Sequence, residues 1–208
     1  MYSIRLATDE DKDQVMAIFN HYIENSMAAY PLKALPPQAW EPIKATCIAG
    51  NLWIAEAADG SIAGFAMLKT FMNAGSFAHT ADVGYFIHPG HTHQGLGTKL
   101  LAQLVSVAKE LNISVLVANV SSLNPESLAF HQRTGFTECG RIPGVGKKQG
   151  QITKTRTYHI AHFRHFLICL TNSTLSIKKY IHLSPLRFLQ LVYIASLAIW
   201  ACACILPN

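Results

Sequence analysis

An apolar strand, a turn holding two glycines two residues apart, and an amphipathic helix follow one another without a break between Ala81 and Leu111. "ADVGYFIH" supplies the strand and "HPGHTHQGLGTKLL", His88 to Leu101, the turn and helix start; Leu100, Leu101, Leu104, Val107, Ala108 and Leu111 then recur on one helical face. A helix that springs from a strand end folds back onto the sheet, so this succession confines the chain to layered α/β architectures. It also creates an anion site. The first N–H groups of such a helix lack partners, converge on one spot and sit at the positive end of the helix dipole. Gly95 and Gly97, without Cβ atoms, would let a diphosphate approach the main chain. A plain glycine-rich strand-to-helix turn is the alternative.

Spacing removes two nucleotide motifs. A triphosphate loop needs Lys and Ser or Thr after its second glycine, but Gly90 and Gly95 are followed by Leu96 and Gly97. A dinucleotide fingerprint needs a third glycine where Leu100 stands.

The flanking segments fill in the layers. "YSIRLA" alternates as a short strand, and "TDEDKDQVMAIFNHYIENS" offers Thr8 as an N-cap with acids in the first turn of a helix. A second helix is expected from about Pro37 to Ile48, with Gly50 beyond its end. "LWIAEA", a turn at Asp59-Gly60 and "SIAGFAMLKT" predict a hairpin, and "ISVLVANV" a strand buried on both faces. "NPESLAFHQRTGF" predicts a short helix capped by Asn124 and ended by Gly135, followed by "FTECGR" as a strand. The order predicts an α/β fold, a mixed sheet with helices packed on it.

Net charge is +5, yet its distribution argues against nucleic acid as a partner. All twelve acids lie at or before Glu138 against eight Lys and Arg, whereas the remaining seventy residues carry nine Lys and Arg and no acid. The basic residues form no nucleic-acid motif, and the five cysteines have no metal-ligand spacing, so no metal is expected. The amino-terminal stretch lacks the pattern of a signal peptide, which predicts a cytoplasmic domain with reduced thiols.

Two segments carry a resemblance. "HPGHTHQGLGTKLL" is similar to the acetyl-CoA diphosphate loop of the GNAT superfamily of N-acetyltransferases, [QR]-x-x-G-x-[GA], and "NPESLAFHQRTGF" to that superfamily's later N-x-x-S-x-x-x-[YH]-x-x-x-G-F segment, in the same order with one strand between. "IRLATDED", "FNHYIENSMAAY", "HTADVGYFIHP" and "GVGKKQG" resemble the phosphinothricin-acetyltransferase-like branch, over about residues 2 to 150. The resemblance implies a three-layer fold whose central, mostly antiparallel sheet splays at the acetyl-CoA site. It implies direct acetyl transfer from acetyl-CoA to the primary amine of a small, amino-acid-like substrate. Acetylation of a protein or peptide N-terminus and CoA binding without turnover stay open, as does a homodimer.

The same resemblance assigns roles. Asp82, where Glu is usual, would accept the amine's proton, and His131, where most relatives have Tyr, would protonate the departing thiolate. The backbone N–H of Ile87 would polarise the carbonyl. His88, Thr92, His93, Gln94, Gly95, Leu96, Gly97 and Thr98, with Asn124 and Ser127, would hold CoA; Phe19, Tyr22, Tyr30 and Phe77 would wall the acceptor. Thr92 replaces the family's Gln or Arg, which removes a side-chain contact to the diphosphate. "MNAGSF" lacks the branch's Arg or Lys and Tyr near Phe77, which argues against phosphinothricin itself.

After Gly150 the family's closing pattern is missing. The expected division is an acetyltransferase domain over 1–155 and an atypical basic and apolar tail over 156–208. The apolar run 189–206 would span about 27 Å as a helix, so the tail reads either as a membrane anchor or as the product of a frame shift near Gln149 to Thr155. The expectation is a chain that has lost its last strand.

Overall fold

The computed structural model describes residues 1–161. Seven strands run β1 Ser3–Leu6, β2 Cys47–Glu56, β3 Ile62–Thr70, β4 Thr80–Ile87, β5 Val115–Ser121, β6 Thr137–Lys148 and β7 Gln151–Ala161. Four helices accompany them: α1 Lys12–Asn25, α2 Trp40–Ala45, α3 Leu96–Glu110 and α4 Pro125–Arg133. The strands form one sheet in the order β1-β2-β3-β4-β5-β7-β6, antiparallel at every junction except β4 with β5.

The burial pattern of each element explains the layering. In α1, Val15, Met16, Ile18 and Ile23 are buried. Val15, Met16 and Ile18 pack with Trp40 of α2 and with Cys47, Leu52, Ile54, Phe65 and Met67 on one face of the sheet. The alternate β3 residues Ala66 and Leu68 are equally buried on the other face, where α3 lies along β2, β3 and β4 with Leu100, Leu101 and Leu104 sealed from solvent. The fold is therefore three-layered. The chain enters α1 through a side-chain clasp: the Asp11 carboxylate accepts the Thr8 N–H at 2.8 Å and two Arg5 N–H groups at 2.7 and 2.8 Å.

Two boundaries differ from the sequence expectation. The second helix ends at Ala45, because Cys47 is already needed in the core beside Leu52 and Ile54. Gly50 is not a helix stop: with Ala49 it takes positive φ, 48° and 72°, inside an irregularity of β2 that shifts the register between Cys47 and Leu52. Second, a final strand exists. Residues 151–161 form β7, which enters the sheet between β5 and β6, and the strand runs across residue 155. Thr153, Thr155 and Tyr158 are buried along it, Tyr158 completely.

Among the described residues no helix is long and apolar enough to cross a membrane. The run 189–206 lies outside them.

Candidate functional site

β4 and β5 pair only over Thr80–Asp82 with Val115–Val117. Beyond that point they diverge, and the wedge between them holds a cavity of about 460 Å³. Its walls are Val83–Ile87 of β4, Ala118–Ser121 of β5, the loop and start of α3, and α4, with Tyr22 and Ala28 beside them. The backbone polarity of β4 can be read from one bond. The N–H of His88 donates to Ala63 O at 2.8 Å on the β3 side, so by strand alternation the N–H groups of Ile87 and Tyr85 face the wedge. The Ile87 carbonyl accepts the Tyr22 hydroxyl at 2.6 Å, which fixes that edge.

The glycine turn caps one end of the cavity. Gly95 is the N-cap of α3 with φ 75°, a left-handed conformation that a side chain resists, and no side chain caps the helix. The first helical bond comes from the Lys99 N–H to Gly95 O, so the N–H groups of Leu96, Gly97 and Thr98 remain open to an anion. Gly97 also meets a packing constraint that the sequence did not show. A Cβ there would stand 3.2 Å from the Phe130 ring, so its bareness makes room for α4. The Thr92 hydroxyl donates to Pro89 O at 3.2 Å, and His88 Nδ1 accepts the Gly90 N–H at 3.1 Å; both side chains serve the turn. The Tyr2 hydroxyl donates to Gln94 Oε1 at 2.5 Å and lies 2.9 Å from His91 Nδ1, tying the turn to the start of the chain. Uncapped main-chain donors at a helix start fit a diphosphate.

His131 closes the opposite wall. It is 3% exposed, stacked on Tyr85 and Tyr158 and edge-on to Phe130 and Phe136. Nδ1 lies 2.7 Å from the Ser127 carbonyl and Nε2 bonds the Tyr85 hydroxyl. Burial pushes the imidazole below its ordinary value and the Tyr85 phenol above its own. Asn124 caps α4 by accepting the Ser127 N–H at 3.1 Å, which leaves its amide donors free.

Of the residues expected from sequence, His131, Ile87, Thr92, His93, Gly95, Leu96, Gly97, Thr98, Asn124, Ser127 and Tyr22 line this cavity. His88, Gln94, Asp82, Phe19, Tyr30 and Phe77 do not. Asp82 sits on the other face of β4 from Tyr85, and its carboxylate pairs with Lys69 at 2.8 Å. Phe19 packs on Phe65 and Phe86, Phe77 on Phe71, and the Tyr30 hydroxyl bonds Asn119 O at 3.1 Å. Tyr85, His91, Glu126, Phe130 and Arg133 line the cavity without having been singled out. The strand alternation that places Tyr85 on the cavity face could have found it. Among the described residues no cluster of His, Cys, Asp and Glu could hold a metal ion.

The model of the Acetyltransferase (GNAT) family matches residues 15–136. The chain is 31% identical to the L-amino acid N-acyltransferase MnaT of Escherichia coli over 72% of its length and 87% of that protein's. It is 28% identical to an L-methionine sulfoximine/L-methionine sulfone acetyltransferase of Salmonella typhimurium, over 72% of this chain and 88% of the relative. Among solved structures, yncA from Salmonella typhimurium with its cofactor acetyl-CoA superposes with a TM-score of 0.70 at 25% identity, covering 77% of this chain and 94% of its own. A ribosomal-protein-alanine N-acetyltransferase from Brucella melitensis gives 0.72 at 27% identity, covering 76% and 99%.

Proposed function

Because the chain belongs to the GNAT family of acetyltransferases, we propose that it transfers the acetyl group of acetyl-CoA to the primary amine of a small, amino-acid-like molecule. One observation carries the reading: the wedge between β4 and β5 opens onto the uncapped start of α3. A long co-substrate with a diphosphate in its middle can then place that group on the helix and its thin arm between the strands. When bound, acetyl-CoA supplies an acetyl carbon already activated as a thioester.

The chain's own groups do the rest. Leu96, Gly97 and Thr98 bind the diphosphate through main-chain N–H groups, beside Thr92 and His93 of the loop. The free amide donors of Asn124 reach the arm, with Ser127 beside it. The Ile87 N–H, facing the wedge, polarises the thioester carbonyl. Tyr22, which lines the cavity, forms part of the acceptor wall. Asp82 remains the family-type base only if its pair with Lys69 opens toward the acceptor. The acceptor class is supported by the amino-acid substrates in the names of the relatives.

The test is thiol release from acetyl-CoA with methionine sulfoximine, methionine sulfone, phosphinothricin and an alanine-starting peptide, each beside a measurement of acetyl-CoA binding. Turnover of the amino acids is expected. Binding without thiol release from any amine overturns the reading, and turnover of the peptide alone favours the protein N-terminus as acceptor, as in the name of the Brucella neighbour.

A further inference from the structure

We propose that Tyr85 and His131 form one proton shuttle that serves both halves of the transfer, with Tyr85 as the group that meets the reacting atoms. The proposal rests on the acetyl-transfer reading and assigns its proton path.

The direction of the hydrogen bonds follows from donor chemistry. The Ser127 carbonyl can only accept, so His131 Nδ1, 2.7 Å away, carries a hydrogen. A neutral ring then has Nε2 as its sole acceptor, and the Tyr85 hydroxyl must donate to it. Donating that hydrogen leaves the acceptor side of Tyr85 Oη uncommitted, on a residue that lines the cavity. His131, 3% exposed, has its Nε2 hydrogen-bonded to the Tyr85 hydroxyl, so a proton on that nitrogen has Tyr85 Oη as its neighbour. Stacking on Tyr85 and Tyr158, at interplanar angles of 27° and 25°, fixes the ring.

The steps balance. As the C–N bond forms, Tyr85 Oη accepts the proton of the attacking nitrogen and passes its own to His131 Nε2, giving an imidazolium whose Nδ1–H still faces Ser127 O. As the C–S bond breaks, Tyr85 gives a proton to the departing sulfur and recovers one from Nε2. One proton has moved from nitrogen to sulfur and the pair is restored. Asp82, across the strand and bound to Lys69, is not needed for this path. The titratable groups around the pair are Tyr158, stacked on the ring, Glu126 and Arg133 on the same wall, and Asp82 acting on Tyr85 from the opposite face.

The test uses the full chain labelled with ¹⁵N-histidine. At neutral pH His131 should show a protonated Nδ1 and a bare Nε2, with the Nε2 shift altered in Tyr85→Phe. In steady state, Tyr85→Phe should lower kcat by about 100-fold with acetyl-CoA affinity unchanged, and should lose the acid limb of the pH profile. Fluorotyrosine at position 85, which keeps the ring's shape and acidifies the phenol, should displace that profile, a response a purely structural ring would not give. An Nε2–H tautomer in the wild type, or a kcat in Tyr85→Phe within twofold of wild type, overturns the shuttle, as does a loss of kcat confined to Asp82→Asn. Absence of thiol release in a wild type that binds acetyl-CoA overturns the transferase reading instead, and the ring-nitrogen shifts then decide the pair by themselves.

Discussion

Gly95 and Gly97 stand two residues apart in one turn and are glycines for unrelated reasons, and substitution separates them. Gly95→Ala puts a side chain at φ 75° in otherwise open space, so the cost is backbone strain, about 1–2 kcal/mol in urea unfolding, with weaker acetyl-CoA binding as the helix start shifts. Gly97→Ala gains helix propensity, at most about 1 kcal/mol, while pushing Phe130, whose ring lies against Tyr85. Its stability should stay within about 1 kcal/mol of wild type while kcat falls several-fold. His131 contributes a third expectation, on acid stability. Its folded pKa lies below the ordinary 6.5, so the unfolded chain binds the extra proton between those values and stability rises with pH across that window. The midpoint of thermal unfolding should therefore drop as pH falls below 6.5, less steeply in His131→Phe. Residue patterns made the glycines and His131 legible, but not why Gly97 lacks a side chain. That reason is a contact with a residue thirty-three positions away, which only packing reveals.

The elements were legible where pattern and burial coincide, as in α3 and the β2–β3 hairpin, and illegible where a backbone irregularity or a long-range pairing decides. β7 belongs to the second kind. "QITKTRTYHIA" lacks the family's pattern, yet Thr153 and Thr155 are buried on one face of the strand and Tyr158 on the other, and neighbours on both sides satisfy its backbone. The turn before it holds a further device. Lys148, buried and with its pKa lowered by desolvation, donates to the carbonyls of Ser26 at 2.8 Å and Ala29 at 2.7 Å, so the end of β6 grips the loop after α1 that brings Ala28 to the cavity wall. Lys148→Met would leave both carbonyls without that donor. It should cost about 1–3 kcal/mol in urea unfolding and raise the KM for the amine more than that for acetyl-CoA.

At the scale of the molecule, β7 decides whether the sheet is complete. A chain ended at Gly150 loses the strand between β5 and β6 and uncovers an edge on each. By circular dichroism it is expected to lack a cooperative thermal transition, and the full chain to have one. The sheet's other junction is thin by design of the site: among the described residues the ladder joining β4 to β5 has three residue pairs, preceded by the His79 carbonyl, which accepts the Ser114 and Val115 N–H groups. Under a pulling force that ladder is the seam that parts first, and anything seated across it works as a rivet between two half-sheets. Occupancy of the wedge should therefore slow amide hydrogen exchange on both flanking strands together and raise the force at which the halves separate.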